Sequence, residues 1–390
     1  MRHGRISIIA LQCMFAAAIG PAGAAARTWY VNANGSGEMP TIQAAIDTAG
    51  VGDVILVGPG LYSWTSQGSG EEAGMIRFME RDIYITLRSE MGPGVTTLDA
   101  EYQSRVIYCH GMNHVTVEGF TITGGEAPEF GDQVGGGFFT HIPDEVVRDC
   151  VFVANRALHG GGISCVINDR TFAAQNCVFI NNTAYNSGGA ISLWNGTGSI
   201  SITGCTLDGN TAAERGGAIF AYNCTAGVAD CVFYGNSAGS GGSAFCGYGG
   251  GNLDMIASTI CDNSGGEAVI RAYGSSRVDI HRSVAAFNNG ILFDLAEGTT
   301  GGIGCCDIFG NNGGDALPAL LLDEGSNISA DPLFCGTVDS RNYLLRSDSP
   351  CFPGNIPDGP FCSIIGAFGI GCSSVAVENS SWGAIKTLFH

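Results

Sequence analysis

Apolar residues recur in this chain at two spacings at once. Within short stretches they alternate with polar residues, as in Ser-Ile-Ser-Ile at 199–202 and VTVEGFTIT from Val115, which is the period of a strand with one face buried. Over longer distances one short pattern returns: CVFVANRA from Cys150, CVFINNTA from Cys177, CTLDGNTA from Cys205 and CVFYGNSA from Cys231, with the leading cysteines 27, 28 and 26 residues apart. Strand alternation inside a fixed period is the mark of a solenoid in which each repeat is one coil. The unit is too short for paired helices with their turns, and its Val, Ile, Phe, Gly and Asn favour strands and tight bends.

The repeats align into columns. Asn155, Asn182, Asn210, Asn236, Asn263, Asn288 and Asn311 share one, with Cys five residues before, Phe or Leu three before and Ala two after in the clearest units. Cys and Phe stand two apart, so both are expected to point inward from one strand. The asparagine is expected in the turn, where it tolerates left-handed backbone and can bond to the same amide in the next coil, forming a ladder. Next come Gly161-Gly162, Gly188-Gly189, Gly216-Gly217 and Gly241-Gly242, then Ile163, Ile191, Ile219 and Phe245. Three short parallel strands per coil predict an all-β fold, a single-stranded right-handed parallel β-helix.

Composition narrows this further. The 61 glycines among 390 residues follow no Gly-X-Y period, which excludes collagen, and 45% hydrophobic residues exclude disorder. Residues 1–26 place Arg2 and Arg5 before a short apolar run and then Ala24, Ala25 and Ala26, the pattern of a secretory signal peptide cut near Ala26. Gln12, Gly20 and Pro21 interrupt the run, so a transmembrane helix is not expected. The net charge of −19, with Lys386 the sole lysine, disfavours nucleic acid and anionic membrane surfaces as partners. Of the 16 cysteines, Cys13 lies in the leader, which leaves an odd number and at least one unpaired thiol. Cys150, Cys177, Cys205 and Cys231 read as small buried core residues, with Ser258 and Ser283 in the next two coils. Cys335, Cys351, Cys362 and Cys372 lie in a Pro-rich, non-repeating region where disulfides have more to stabilise.

The segments CVFINNTA…GGAI and CTLDGNTA…GGAI resemble the FxxN and GGAI repeats of the polymorphic outer-membrane proteins and of parallel β-helix repeat families, over residues 110–315. Upstream, TIQAAIDTAGVGDVILVGPGLYS at 41–63 resembles the entry segment of pectin-lyase-like β-helices, in which a short amphipathic helix caps the first coil. Ile42, Ala45, Ile46 and Ala49 do fall on one helical face, followed by Val54–Val57 as the first apolar strand. SADPLFC, YLLRSDSPCFPGN and CSIIGAFGIGC resemble the closing coils of secreted β-helix proteins. The expected organisation is a leader at 1–26, a β-helix at 27–372 with clear repeats at 110–315 and closing coils at 316–372, and a C-terminal tail at 373–390. Many alternating strands of about ten residues, which a membrane barrel needs, do not follow the repeats.

The resemblance covers folds that host polysaccharide lyases, polygalacturonases and esterases as well as adhesins, so it does not decide function. Adjacent Asp-Asp, Gly-His-Gly and Arg-Ile-Lys are missing, as is any lysine inside the solenoid, so the hydrolase pattern of that fold is not found. Asp149, Asn176 and Asp230 share the column before the repeat Cys and are candidate calcium ligands, with Gly204 interrupting them. His141 and His159 stand isolated in sequence. Trp194, Tyr222 and Tyr248 each lie twelve residues after their asparagine, and alternation puts them outward if Ile191 and Leu193 point in. They are the candidate ligand-binding residues, a flat neutral platform for sugar rings. The expected function is that of a secreted, extracellular or cell-surface protein that binds a polysaccharide or surface glycan, or serves structurally, without catalysis. It requires no cofactor, although calcium is possible. The rival expectation is a carbohydrate-active enzyme, a lyase or glycoside hydrolase, with an outward arginine beside several carboxylates.

Overall fold

A computed structural model describes residues 25–67, 73–79, 84–111, 114–127, 134–141, 144–336, 343–356 and 362–372. Almost all of the expected leader and the whole of the tail at 373–390 lie outside them. The chain winds into an all-β, right-handed parallel solenoid. Its strands assort into parallel sheets of 12, 10, 9 and 5 strands, here sheets 1, 2, 3 and 4, plus a two-stranded pair near the C-terminus. One coil shows the path: Thr171–Gln175 in sheet 1, Val178–Ile180 in sheet 2, Thr183–Ser187 in sheet 4 and Ile191–Gly196 in sheet 3. Sheet 4 is the strand that three-strand periodicity misses. It lies between the asparagine and the glycines, where Thr183 and Ala184 pair with Arg156 and Ala157.

The N-terminal end is closed as its amphipathic pattern demands. Helix α1 (Ile42–Thr48) starts at Thr41, whose side chain accepts from the Ala44 N–H, and it buries Ile42, Ala45 and Ile46 on the first coil. The first strand, however, is Thr28–Val31, which pairs with Val54–Val57 and adds a rung ahead of the one expected.

Inside, the repeat columns become ladders. The seven asparagines are buried, six of them fully. Asn182 Nδ2 donates to Asn210 Oδ1 at 3.0 Å and to the Phe152 carbonyl at 3.0 Å. Its Oδ1 accepts from the Asn155 N–H at 3.1 Å and from Asn155 Nδ2 at 3.0 Å. The same contacts run through Asn210, Asn236, Asn263 and Asn288 to Asn311, where the Asp315 carboxylate takes the last two donors at 2.9 Å each. The asparagines are therefore not the left-handed residues of the turn. Those are their predecessors, Ala154, Asn181, Gly209, Gly235, Asp262, Phe287 and Gly310, all at φ between 51° and 66°. A left-handed residue there aims the next side chain into the core, where its amide can be satisfied on every side.

The cysteine column obeys a second rule. Cys205 Sγ accepts from the Cys177 N–H and Cys231 Sγ from the Cys205 N–H, each at 3.4 Å. Ser258 Oγ takes the Cys231 N–H at 3.2 Å and donates to the Ile256 carbonyl at 3.0 Å. The position thus needs a small side chain that both accepts and donates, which is why Ser replaces Cys there. Burial pushes the Cys150 thiol up to about 12. Gly188 adopts φ 72°, and at Gly161 a Cβ would sit 2.6 Å from the Gly189 carbonyl, so the paired glycines answer two different constraints.

The C-terminal region differs from the expected closing coils. Leu322–Gly325 ends sheet 1, and the Asp307–Ile328 bridge ends the coil. The chain then returns as a strap over the outer face of sheet 2. Tyr343, Leu345, Cys351, Ile356, Cys362 and Ile365 form a second core there with the outward residues Val232, Cys261, Val284 and Ala286. These outward positions are apolar, so covering them removes a patch that would otherwise favour association. Disulfides Cys305–Cys362 and Cys335–Cys372 fasten the strap, and Cys351 instead donates to Asp307 Oδ2 at 3.1 Å. Burial pushes the Asp307 carboxyl up to about 6.

Replacing Asn210 with Ala leaves the Asn182 N–H and Nδ2 without their acceptor and the Phe179 carbonyl without its donor. At about 1–3 kcal/mol per unsatisfied buried group, denaturant titration should show a loss of about 3–5 kcal/mol. In the thiol column, Cys205→Ser should melt close to wild type, whereas Cys205→Ala should lose about 1–2 kcal/mol by stranding the Cys177 N–H. Between pH 4 and 6 the unfolded chain releases the Asp307 proton before the folded one, so stability should fall across that window. The fall should amount to about 3 kcal/mol, and an Asp307→Asn variant should lack that component in urea titrations at stepped pH.

Candidate functional site

Strand alternation on sheet 3 sends one column of side chains outward, and the pairing identifies each rung. His110 is in register with His141, His141 with Val166, Val166 with Trp194, Trp194 with Tyr222, and Tyr222 with Tyr248. Tyr273 extends the column beyond Tyr248, its ring centroid 5.6 Å away. The three expected aromatics therefore do meet on one outer face. They do not lie flat. Trp194 lies tilted by 40° against Tyr222 at 5.4 Å, and Tyr222 and Tyr248 stack at 6.0 Å and 21°. Parallel strands repeat about every 4.8 Å, close to ring-packing distance, so rings at one register pack against one another rather than side by side as one flat platform. Tyr248 is the most open of the three, at 40% exposure.

Beside the Trp194 end of this stack runs a groove of about 410 Å³, lined by His110, His141, His159, Val166, Trp194 and Asn195, with Phe139 and Val134 completing its apolar wall. His159 meets Trp194 edge to face at 4.9 Å, and Trp194 Nε1 donates to Ser192 Oγ at 2.6 Å, which fixes the indole. Burial lowers the His159 pKa, keeping the imidazole neutral at physiological pH. Among the described residues, no carboxylate, lysine or arginine lines it. His141 and His159, isolated in sequence, thus share one groove.

Charged groups gather at the other end of the sheet. Arg271 pairs with Glu267 and, at 2.8 Å, with Asp294, donates to the Ser240 carbonyl at 2.6 Å and lies 4.3 Å from the Tyr273 ring centre. All three partners draw on one guanidinium that is only 13% exposed. Arg215 sits 4.9 Å from the Tyr248 ring centre. Below the groove, Glu145 faces inward and accepts from Thr140 Oγ1 at 3.0 Å, and burial pushes its carboxyl well above the usual range.

The column of Asp149, Asn176 and Asp230 occupies left-handed backbone at φ 53°, 51° and 53°, with Gly204 at 64°. That conformation alone selects Asp, Asn and Gly. Asn176 Nδ2 donates to Asp149 Oδ1 at 3.3 Å, and Asp230 lies two coils further on, past Gly204. Among the described residues, no group of three His, Cys, Asp or Glu side chains is placed to hold a metal ion.

Sequence reasoning found Trp194, Tyr222 and Tyr248 by their constant offset from the asparagine. It missed Tyr273 because that coil is two residues shorter between asparagine and ring, one of them lost at the register shift between Gly242 and Phe245. It missed His110 and His141 because the clear asparagines begin at Asn155, so only strand pairing reveals their column.

The comparisons agree with this architecture. Residues 176–193 and 204–222 match the Chlamydia polymorphic membrane protein repeat. A crystal structure of pectate lyase Pel9A superposes with a TM-score of 0.56 at 14% identity, covering 88% of this chain and 96% of that one. Pectin methylesterase from carrot gives a TM-score of 0.37 at 13% identity over 80% of this chain and 90% of its own, too low to carry an argument. No curated protein matches. The chain is a right-handed parallel β-helix with the fold of pectate lyase Pel9A, and two of its coils are similar to the polymorphic membrane protein repeat.

Proposed function

We propose that this protein is a secreted or cell-surface β-solenoid that binds glycan along the outward column of sheet 3, without catalysis and with no required cofactor. The observation that carries the reading is the continuous column of packed rings, Trp194, Tyr222, Tyr248 and Tyr273, beside a groove whose described lining carries no carboxylate, lysine or arginine. In a chain of net charge −19, a groove whose described lining carries no carboxylate, lysine or arginine suits a neutral saccharide better than a polyanion. The leader pattern at 1–26 and repeats of a type described from a membrane protein support export and display at the cell surface. No helix among the described residues is long and apolar enough to cross a membrane.

A second reading, a polysaccharide lyase or glycoside hydrolase, draws on Arg271, an arginine on this sheet bound to both Glu267 and Asp294. Incubation with a polysaccharide panel tests it. Unsaturated products or new reducing ends that vanish in Arg271→Ala would favour the enzyme.

For the binding reading, a glycan array followed by titration of the best ligand is the direct test. The Trp194→Ala, Tyr222→Ala double variant should lose affinity by about tenfold or more. Wild-type affinity in that variant would refute the column as the binding face.

A further inference from the structure

The outward column of sheet 3 is a ladder of rings with one rung missing. His110 and His141 stand 5.4 Å apart on one side, and Trp194, Tyr222, Tyr248 and Tyr273 follow at 5.4, 6.0 and 5.6 Å on the other. Between them the column holds Val166, paired directly with His141 on one strand and with Trp194 on the next. Two strand spacings, about 10 Å, therefore separate the backbones that carry His141 and Trp194. A ring seated over Val166 would lie about 5 Å from each neighbour, inside the range in which aromatic pairs attract. The groove lies at this gap, lined by His141, Val166 and Trp194.

The geometry points to a binding notch over Val166 that takes one planar aromatic ring, sandwiched between His141 and Trp194. A planar ring fits better than a sugar because the described lining is largely apolar and imidazole-rich and includes no carboxylate to bond several hydroxyls. Phe139 and Val134 close the apolar side, and His159, edge-on to Trp194, stands as a wall. The notch is one ring deep. Beyond Trp194 the rings already pack on each other, so the ligand enters with a single ring rather than a run of them. This site is distinct from the outward ring edges of Tyr222 and Tyr248, and it shares His141, Val166 and Trp194 with the outward column proposed for glycan.

Titration calorimetry on the full chain with 4-methylphenol tests it, with cyclohexanol as a non-planar ring of similar size and methyl β-D-glucopyranoside as a sugar control. The phenol should bind about tenfold or more tighter than cyclohexanol. Val166→Trp should supply the missing rung, cutting phenol affinity by about tenfold or more while leaving the melting temperature unchanged or higher; Val166→Phe repeats the test with a smaller ring. Equal affinity for cyclohexanol, no phenol binding up to its solubility, or unchanged binding in a folded Val166 variant would overturn the proposal. Methyl glucoside binding that Val166→Trp abolishes would overturn it too, while upholding the glycan reading. Phenol binding lost in Val166→Trp, in a protein that captures no glycan on an array, would uphold the notch and refute the glycan reading.

Discussion

Everything in this molecule depends on keeping successive coils in register, and the buried asparagine column enforces that. From Asn182 to Asn288 each side-chain amide uses both its donors and accepts two hydrogen bonds from the coils above and below, fully buried from solvent. A one-residue slip would strand polar groups in the core and turn every inward residue outward. The Phe152–Phe179 stack at 5.0 Å adds packing to the same restraint, and the Cys/Ser column adds a second polar ladder on another corner. The coil spacing that these ladders maintain is also what brings the outer aromatics to stacking distance. The core therefore sets the surface, and the ring column is a product of the same repetition that holds the solenoid together.

The two ends are solved differently. At the N-terminus a short helix plugs the first coil with Ile42, Ala45 and Ile46. At the C-terminus the asparagine ladder stops on Asp315, and the remaining chain turns back over sheet 2. The strap is fastened by two disulfides and by the buried contact of Cys351 with Asp307. It covers sheet 2 and leaves the outer column of sheet 3 to solvent, so the cover and the candidate site occupy different faces of the solenoid.

The architecture was largely legible in the sequence, because inward positions repeat: the Cys, Phe and Asn columns and the helical cap all stand where periodicity puts them. What escaped it depends on contacts that periodicity does not encode. A left-handed residue before each asparagine turns the amide inward, and sheet 4 is too short to show its own alternation. The Cys305–Cys362 link joins a coil to a strap distant in sequence. On the surface, the constant offset exposed Trp194, Tyr222 and Tyr248. Their stacked arrangement, the histidines of the groove and the gap at Val166 become visible only through strand pairing.

The claim that matters most is that the outer column of sheet 3 is the face that engages ligand. Amide hydrogen exchange of the full chain, with and without a polysaccharide selected by array, tests it most directly. The account predicts added protection in Phe138–His141, Ile163–Asn168, Ile191–Gly196 and Ile219–Tyr222, with the strap over sheet 2 unchanged. Protection confined to the strap or to the outer face of sheet 1 would contradict it.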